Sequence, residues 1–175
     1  MRSVRAMAAI ALGLCLACTA LAQPKLGRLA TPDEIAKQDI SIGPDGATLP
    51  PGSGSVADGL AVYEAKCKSC HGEKGGGGPM DRLTGGLGSL ATEKPVKTVA
   101  SFWPYATTIF DYVRRAMPFQ APQSLTSDEI YAVIAYLLSI DKIVPEDAVL
   151  NEKTLAQVRM PNRDGFISYY PKPPR

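Results

Sequence analysis

The sequence predicts an all-α domain flanked by extended N- and C-terminal arms. Three observations predict it. Apolar residues recur at helical spacing in segments that carry their own start signals, no segment shows convincing strand alternation, and stretches rich in glycine and proline bracket the helical region. That region, residues 56–143, has only 88 residues, small for a single core unless a bound group completes it. It contains the run Cys67-Lys68-Ser69-Cys70-His71.

The first 22 residues read as a secretory signal. Arg2 and Arg5 precede an apolar run from about Met7 to Ala17, and Ala20-Leu21-Ala22 forms a small-x-small cleavage site before Gln23. The apolar run is shorter than the roughly 20 residues a spanning helix needs, and no later stretch could span a bilayer. An alternative is lipid attachment through Cys18, but Cys15 stands where leucine is usual in such signals. The reading implies export, cleavage after Ala22 and a periplasmic protein with no membrane span in the mature chain.

Residues 23–55 read as an arm or linker with one short helix. Thr31-Pro32-Asp33-Glu34 offers an N-cap, a proline at the first helical position and acids in the first turn, giving a helix to about Asp39. Gly43-Pro44-Asp45-Gly46 and Pro50-Pro51-Gly52-Ser53-Gly54-Ser55 then break regular structure. Within 56–143, a first helix runs from Val56 to about Lys66, with Gly59 and Tyr63 on one face for a close helix crossing. A second spans Thr107–Ala116, with Ile109, Phe110 and Val113 inward and Arg114-Arg115 near its C-terminal end. The last starts at Thr126 or Ser127, has Asp128 and Glu129 in its first turn, and carries Ile130, Val133, Ile134, Leu137 and Leu138 at helical spacing to about Ile140. Residues 144–175 read as a C-terminal extension ending in a proline-rich tail. There is no internal repeat.

C-x-x-C-H is the attachment motif of haem c. Cysteines three apart rise from one turn of helix and meet two vinyl groups on one porphyrin edge, while the adjacent histidine reaches the iron. A redox C-x-x-C should follow a strand in a βαβ pattern, and a zinc site needs further Cys or His ligands. His71 is the only histidine, and the remaining cysteines, Cys15 and Cys18, lie in the signal. One covalent haem c on Cys67 and Cys70, with His71 as an iron ligand, is therefore expected.

A single histidine excludes bis-histidine ligation within one chain. After cleavage the methionines are Met80, Met117 and Met160. Met117, in Arg115-Ala116-Met117-Pro118-Phe119 between two helices, is the favoured second ligand; Met160 and an open site are the alternatives. Met80, nine residues past His71, would have to pass round the porphyrin edge. A thioether ligand favours ferrous iron and leaves no vacancy for oxygen or peroxide. Around these groups, the Pro79 carbonyl is a candidate acceptor for the His71 ring N–H. Trp103 and Tyr105 are candidate donors to a haem propionate, and Arg82, Arg114 or Arg115 a candidate cation beside it.

Loss of Arg2 and Arg5 lowers the basic residues from 19 to 17, against 17 acidic ones. A chain with no net basic field is not built to bind nucleic acid.

Taken together, the C-x-x-C-H following a Gly/Tyr-bearing helix and the Met117-Pro118 ahead of a final helix with Ala135-Tyr136-Leu137 resemble class I cytochromes c. The resemblance implies helices and loops packed around one covalently bound haem, with ligand roles on Cys67, Cys70, His71 and Met117. A narrower likeness lies in Lys94–Thr98, Phe102–Thr108, Arg114–Pro118 and Met160–Phe166, with Asp39–Ile42 and Pro50–Gly52. These are similar to the cytochrome subunits of periplasmic molybdenum sulfite and sulfane dehydrogenases. That likeness implies a molybdenum-containing catalytic partner that supplies electrons, a downstream cytochrome or oxidase that takes them, and no catalysis by this chain itself. Two other functions remain open on the residues: a freely diffusing general carrier, and an open-site haem enzyme or sensor.

Overall fold

The computed structural model describes residues 27–167 and Tyr170. The expected signal, with its cleavage site at Ala22, lies outside the described residues, as does most of the proline-rich tail. The chain divides into two units, residues 1–39 and 40–175.

In the first unit, helix α1 (Pro32–Gln38) starts where its signals place it. Thr31 and Glu34 form a reciprocal capping box, and Asp39 caps the far end. The Arg28 guanidinium is the main cause holding the Glu34 carboxyl down at about 2. No residue of α1 is buried.

The second unit is built on α6 (Ser127–Ile140), every residue of which from Ile130 to Ser139 is buried. Thr126 is its N-cap, paired with Glu129 in a capping box. Helix α2 (Val56–Lys66), capped by Ser55 and Asp58, crosses it. The crossing depends on a missing side chain, because a Cβ at Gly59 would stand 2.0 Å from the Ala132 carbonyl oxygen. On the other flank of Ala132, strand β1 (Ser53–Ser55) pairs antiparallel with β2 (Val149–Asn151), Gly54 opposite Leu150. There a Cβ at Gly54 would stand 2.2 Å from the Ala132 backbone nitrogen. Glycines from two elements thus let the backbone close on one alanine of α6. Beside them the Tyr63 and Tyr136 rings meet at 5.3 Å. Helix α5 (Ala106–Ala116) buries Ile109 and Phe110, the latter 4.7 Å from the Tyr131 ring.

Two short helices complete the set. Helix α3 (Lys68–His71) continues the chain from α2, and α4 (Val99–Phe102) is held by a Thr98–Ser101 capping box. The sequence reading had no helix at α4, since four residues are too few to show a period.

The boundaries read from sequence, 56 and 143, are narrower than those of the folded unit, which begins at Ile40. Ile42 and Leu49, in the supposed arm, are buried core residues, and so are Val144, Leu150, Leu155 and Met160 in the supposed extension. The breaker-rich segment packs as turns tied down by tertiary hydrogen bonds. Ile42 N–H donates to Asp111 Oδ1 (2.8 Å), Tyr131 Oη to the Pro50 carbonyl (2.8 Å), and Ser53 N–H to Asp128 Oδ1 (2.7 Å). These contacts leave no local periodic trace. Among the described residues no helix is long and apolar enough to cross a membrane.

Candidate functional site

Helix α2 ends at Cys67, whose N–H donates to the Tyr63 carbonyl at 2.9 Å. The chain then makes one turn, with His71 N–H donating to the Cys67 carbonyl at 3.0 Å. That turn brings Cys67, Cys70 and His71 to one wall of a cavity of about 610 Å³. The volume falls within the roughly 300–1,000 Å³ range of cofactor sites. Ile109 and Val113 of α5 and Val133 and Leu137 of α6 supply apolar lining, and Met117, at the C-terminal end of α5, lines it too. The charged residues of the lining, Lys66, Asp81, Arg82 and Lys97, are all exposed.

The turn is held from both sides. Tyr63 Oη donates to the Gly72 carbonyl at 2.8 Å, and burial pushes that phenol up to about 12. Gly72 sits at φ 76°, where a Cβ would strike the Gly77 carbonyl oxygen at 2.1 Å. The glycine-rich loop therefore doubles back tightly. Gly77 N–H reaches the His71 carbonyl and Met80 N–H the Cys70 carbonyl, both at 2.9 Å. Burial also raises the Cys67 thiol to about 11, so it is protonated at neutral pH.

The return of the loop decides the partner of the histidine. His71 Nδ1 lies 2.8 Å from the Asp81 carbonyl oxygen, not that of Pro79. A carbonyl only accepts, so Nδ1 carries the hydrogen and Nε2 keeps its lone pair for a metal. The shift from residue 79 to 81 follows from the bond between Met80 and Cys70, a register that a run of four glycines hides.

Other expected residues separate cleanly. Trp103 lines the cavity, its ring edge-on to Tyr112 at 5.6 Å. Tyr105 does not line it; the Arg163 guanidinium lies over its ring at 4.5 Å. Met160 is 1% exposed among core residues and is not part of the lining. Met80 lines the cavity but is 55% exposed, and its main chain is bonded to Cys70, on the thiol wall. Arg114 and Arg115 turn to the chain at Ile40 and Ser41, while Arg82 stays at the cavity. Sequence reasoning missed Lys97, which lines the cavity with Nζ 5.0 Å over the Phe102 ring. No local pattern marks it; only the capping of α4 by the adjoining Thr98 is readable there.

Two thiols and an imidazole on one wall, apolar sides and a thioether on another element are a donor set that fits haem c. The zinc alternative lacks further ligands: among the described residues no group of three or more His, Cys, Asp or Glu is placed to hold a metal ion.

Comparison with known proteins agrees. Residues 54–137 match the family described as cytochrome C oxidase, cbb3-type, subunit III. Among solved structures, the sulfane dehydrogenase SoxCD from Paracoccus pantotrophus matches at 45% sequence identity and a TM-score of 0.75, over 83% of this chain and 72% of that one. No curated protein matches the chain. With the cavity, its donor set and this relative in view, the chain belongs to the cytochrome c family, an electron-transfer cytochrome akin to the SoxCD chain it matches.

Proposed function

We propose that this protein is a periplasmic monohaem electron-transfer subunit that accepts electrons from a molybdenum sulfane or sulfite dehydrogenase and passes them to a downstream cytochrome or oxidase. The observation that carries the reading is the convergence of Cys67, Cys70, His71 and Met117 on one apolar cavity. Haem c bound there supplies a one-electron ferric/ferrous couple.

The chain's own residues do the rest. Cys67 and Cys70 are the two thioether anchors. His71, its ring fixed by Asp81, gives Nε2 to the metal, and Met117 gives a sulfur that favours the reduced state. Ile109, Val113, Val133 and Leu137 exclude water and lower the local dielectric. The sulfur-dehydrogenase partner is supported by the SoxCD relative and by the similarity over Lys94–Thr98, Phe102–Thr108 and Met160–Phe166.

The test is stopped-flow mixing of the holoprotein with a molybdenum sulfane or sulfite dehydrogenase and its substrate. Reduction of the haem within one enzyme turnover is expected. Reduction far slower than turnover would remove the partner and leave a general carrier.

A further inference from the structure

The chain from Met160 to Phe166 folds as a tight turn, with Arg163 N–H donating to the Met160 carbonyl and Gly165 N–H to the Asn162 carbonyl, both at 3.1 Å. Met160, buried in the core, anchors its start. Three side chains of this turn reach the segment Phe102–Tyr105. Asn162 Nδ2 donates to the Phe102 carbonyl at 2.7 Å, the Phe166 ring meets the Phe102 ring edge-on at 5.2 Å, and Arg163 covers Tyr105. Between the gripped residues stands Trp103, on the cavity wall.

Phe102 is the last residue of α4, where a carbonyl has no partner within the helix. Asn162 supplies that partner. The Phe102 carbonyl and the Trp103 nitrogen belong to one planar peptide unit, so the bond from Asn162 fixes the plane from which Trp103 departs. Gly165 leaves the room this amide occupies, since a Cβ there would stand 1.9 Å from Asn162 Oδ1.

We propose that the Met160–Phe166 turn is a clasp that positions Trp103 against the haem cavity, with Asn162 as its main positioning residue. The proposal rests on the haem-binding reading above. It assigns to the C-terminal segment a task inside the molecule, shaping one wall of the cofactor site.

Trp103 is the only tryptophan in the chain, so the sharp indole bands of the near-ultraviolet circular dichroism report the packing of this one position. The experiment compares those bands, the haem absorption and the far-ultraviolet circular dichroism of the full-chain holoprotein with Asn162→Asp and Phe166→Ala. The first keeps the side chain's size but loses the N–H donor, and the second changes a half-exposed ring. Both variants are expected to lose most of the indole band intensity with the helical signal unchanged. Indole bands at the parent intensity in either variant, or a loss that comes only with loss of helical signal, overturns the clasp. A parent protein lacking haem absorption removes the underlying haem reading as well. A haem-bearing parent whose variants keep the parent indole bands removes the clasp alone.

Discussion

Helix α6 has two sides that are finished in different ways. On one, Ala132 is closed in by protein backbone, with Gly59 of α2 and Gly54 of β1 so near that neither position has room for a Cβ. On the other, Val133 and Leu137 face a cavity whose far wall carries two thiols and an imidazole. The same helix therefore belongs to a seam closed by the chain itself and, on the proposed reading, to a site closed by a cofactor. The residues mark the two sides differently: small ones where backbones meet, apolar ones facing thiols and an imidazole across a cavity.

The largest effects belong to the cofactor side. Replacing Cys67 and Cys70 together by alanine should abolish covalent haem retention, read as loss of the haem stain on a denaturing gel. Met117→Ala should come next: the low-spin spectrum is lost and the midpoint potential falls, read by visible absorption during a redox titration. An unchanged spectrum there would transfer the ligand role to another group, with Met80 the remaining thioether on the cavity.

The seam is probed by Gly59→Val, which must push apart α2 and α6 and should destabilise the fold by about 3 kcal/mol in chemical denaturation. Tyr63→Phe is gentler. It leaves the Gly72 carbonyl without its 2.8 Å partner and should cost about 1 kcal/mol, detectable in the same titration.

The smallest effect concerns the bond that ties the start of α6 to the end of α2. Lys66 Nζ lies 2.6 Å from Glu129, and this contact, with the Thr126 N–H, holds the Glu129 carboxyl below its ordinary value. A depressed carboxylate stabilises the fold above its unfolded pKa and loses that contribution as pH falls through its folded pKa. Glu129→Gln should therefore lower the melting temperature at neutral pH, by about 0.5 kcal/mol equivalent, and have progressively less effect as the medium is acidified below the glutamate range.

Much of this arrangement was legible in the residues, for physical reasons that also explain the rest. Capping boxes and helical periodicity are local, so α1, α2, α5 and α6 lie close to where their signals put them, and C-x-x-C-H carries its chemistry in five consecutive positions. The segments around Ile42, Leu49 and Leu150 were not legible. Their burial depends on partners such as Asp111, Asp128 and Tyr131, which are distant in sequence and follow no period. The exchange of Pro79 for Asp81 beside His71 has the same origin: four successive glycines fit several loop paths, and only the bonds to Cys70 and His71 select one. Tyr105 stands outside the cavity lining, and the residue over its ring, Arg163, comes from a turn beyond the last helix that no local pattern links to it.

The most direct test of the central idea, that a covalently held haem completes the open side of α6, is the intact mass of the mature protein produced in a host that attaches haem c. The account predicts the polypeptide plus one haem, resistant to denaturant and acid extraction. A mass equal to the polypeptide alone would contradict it.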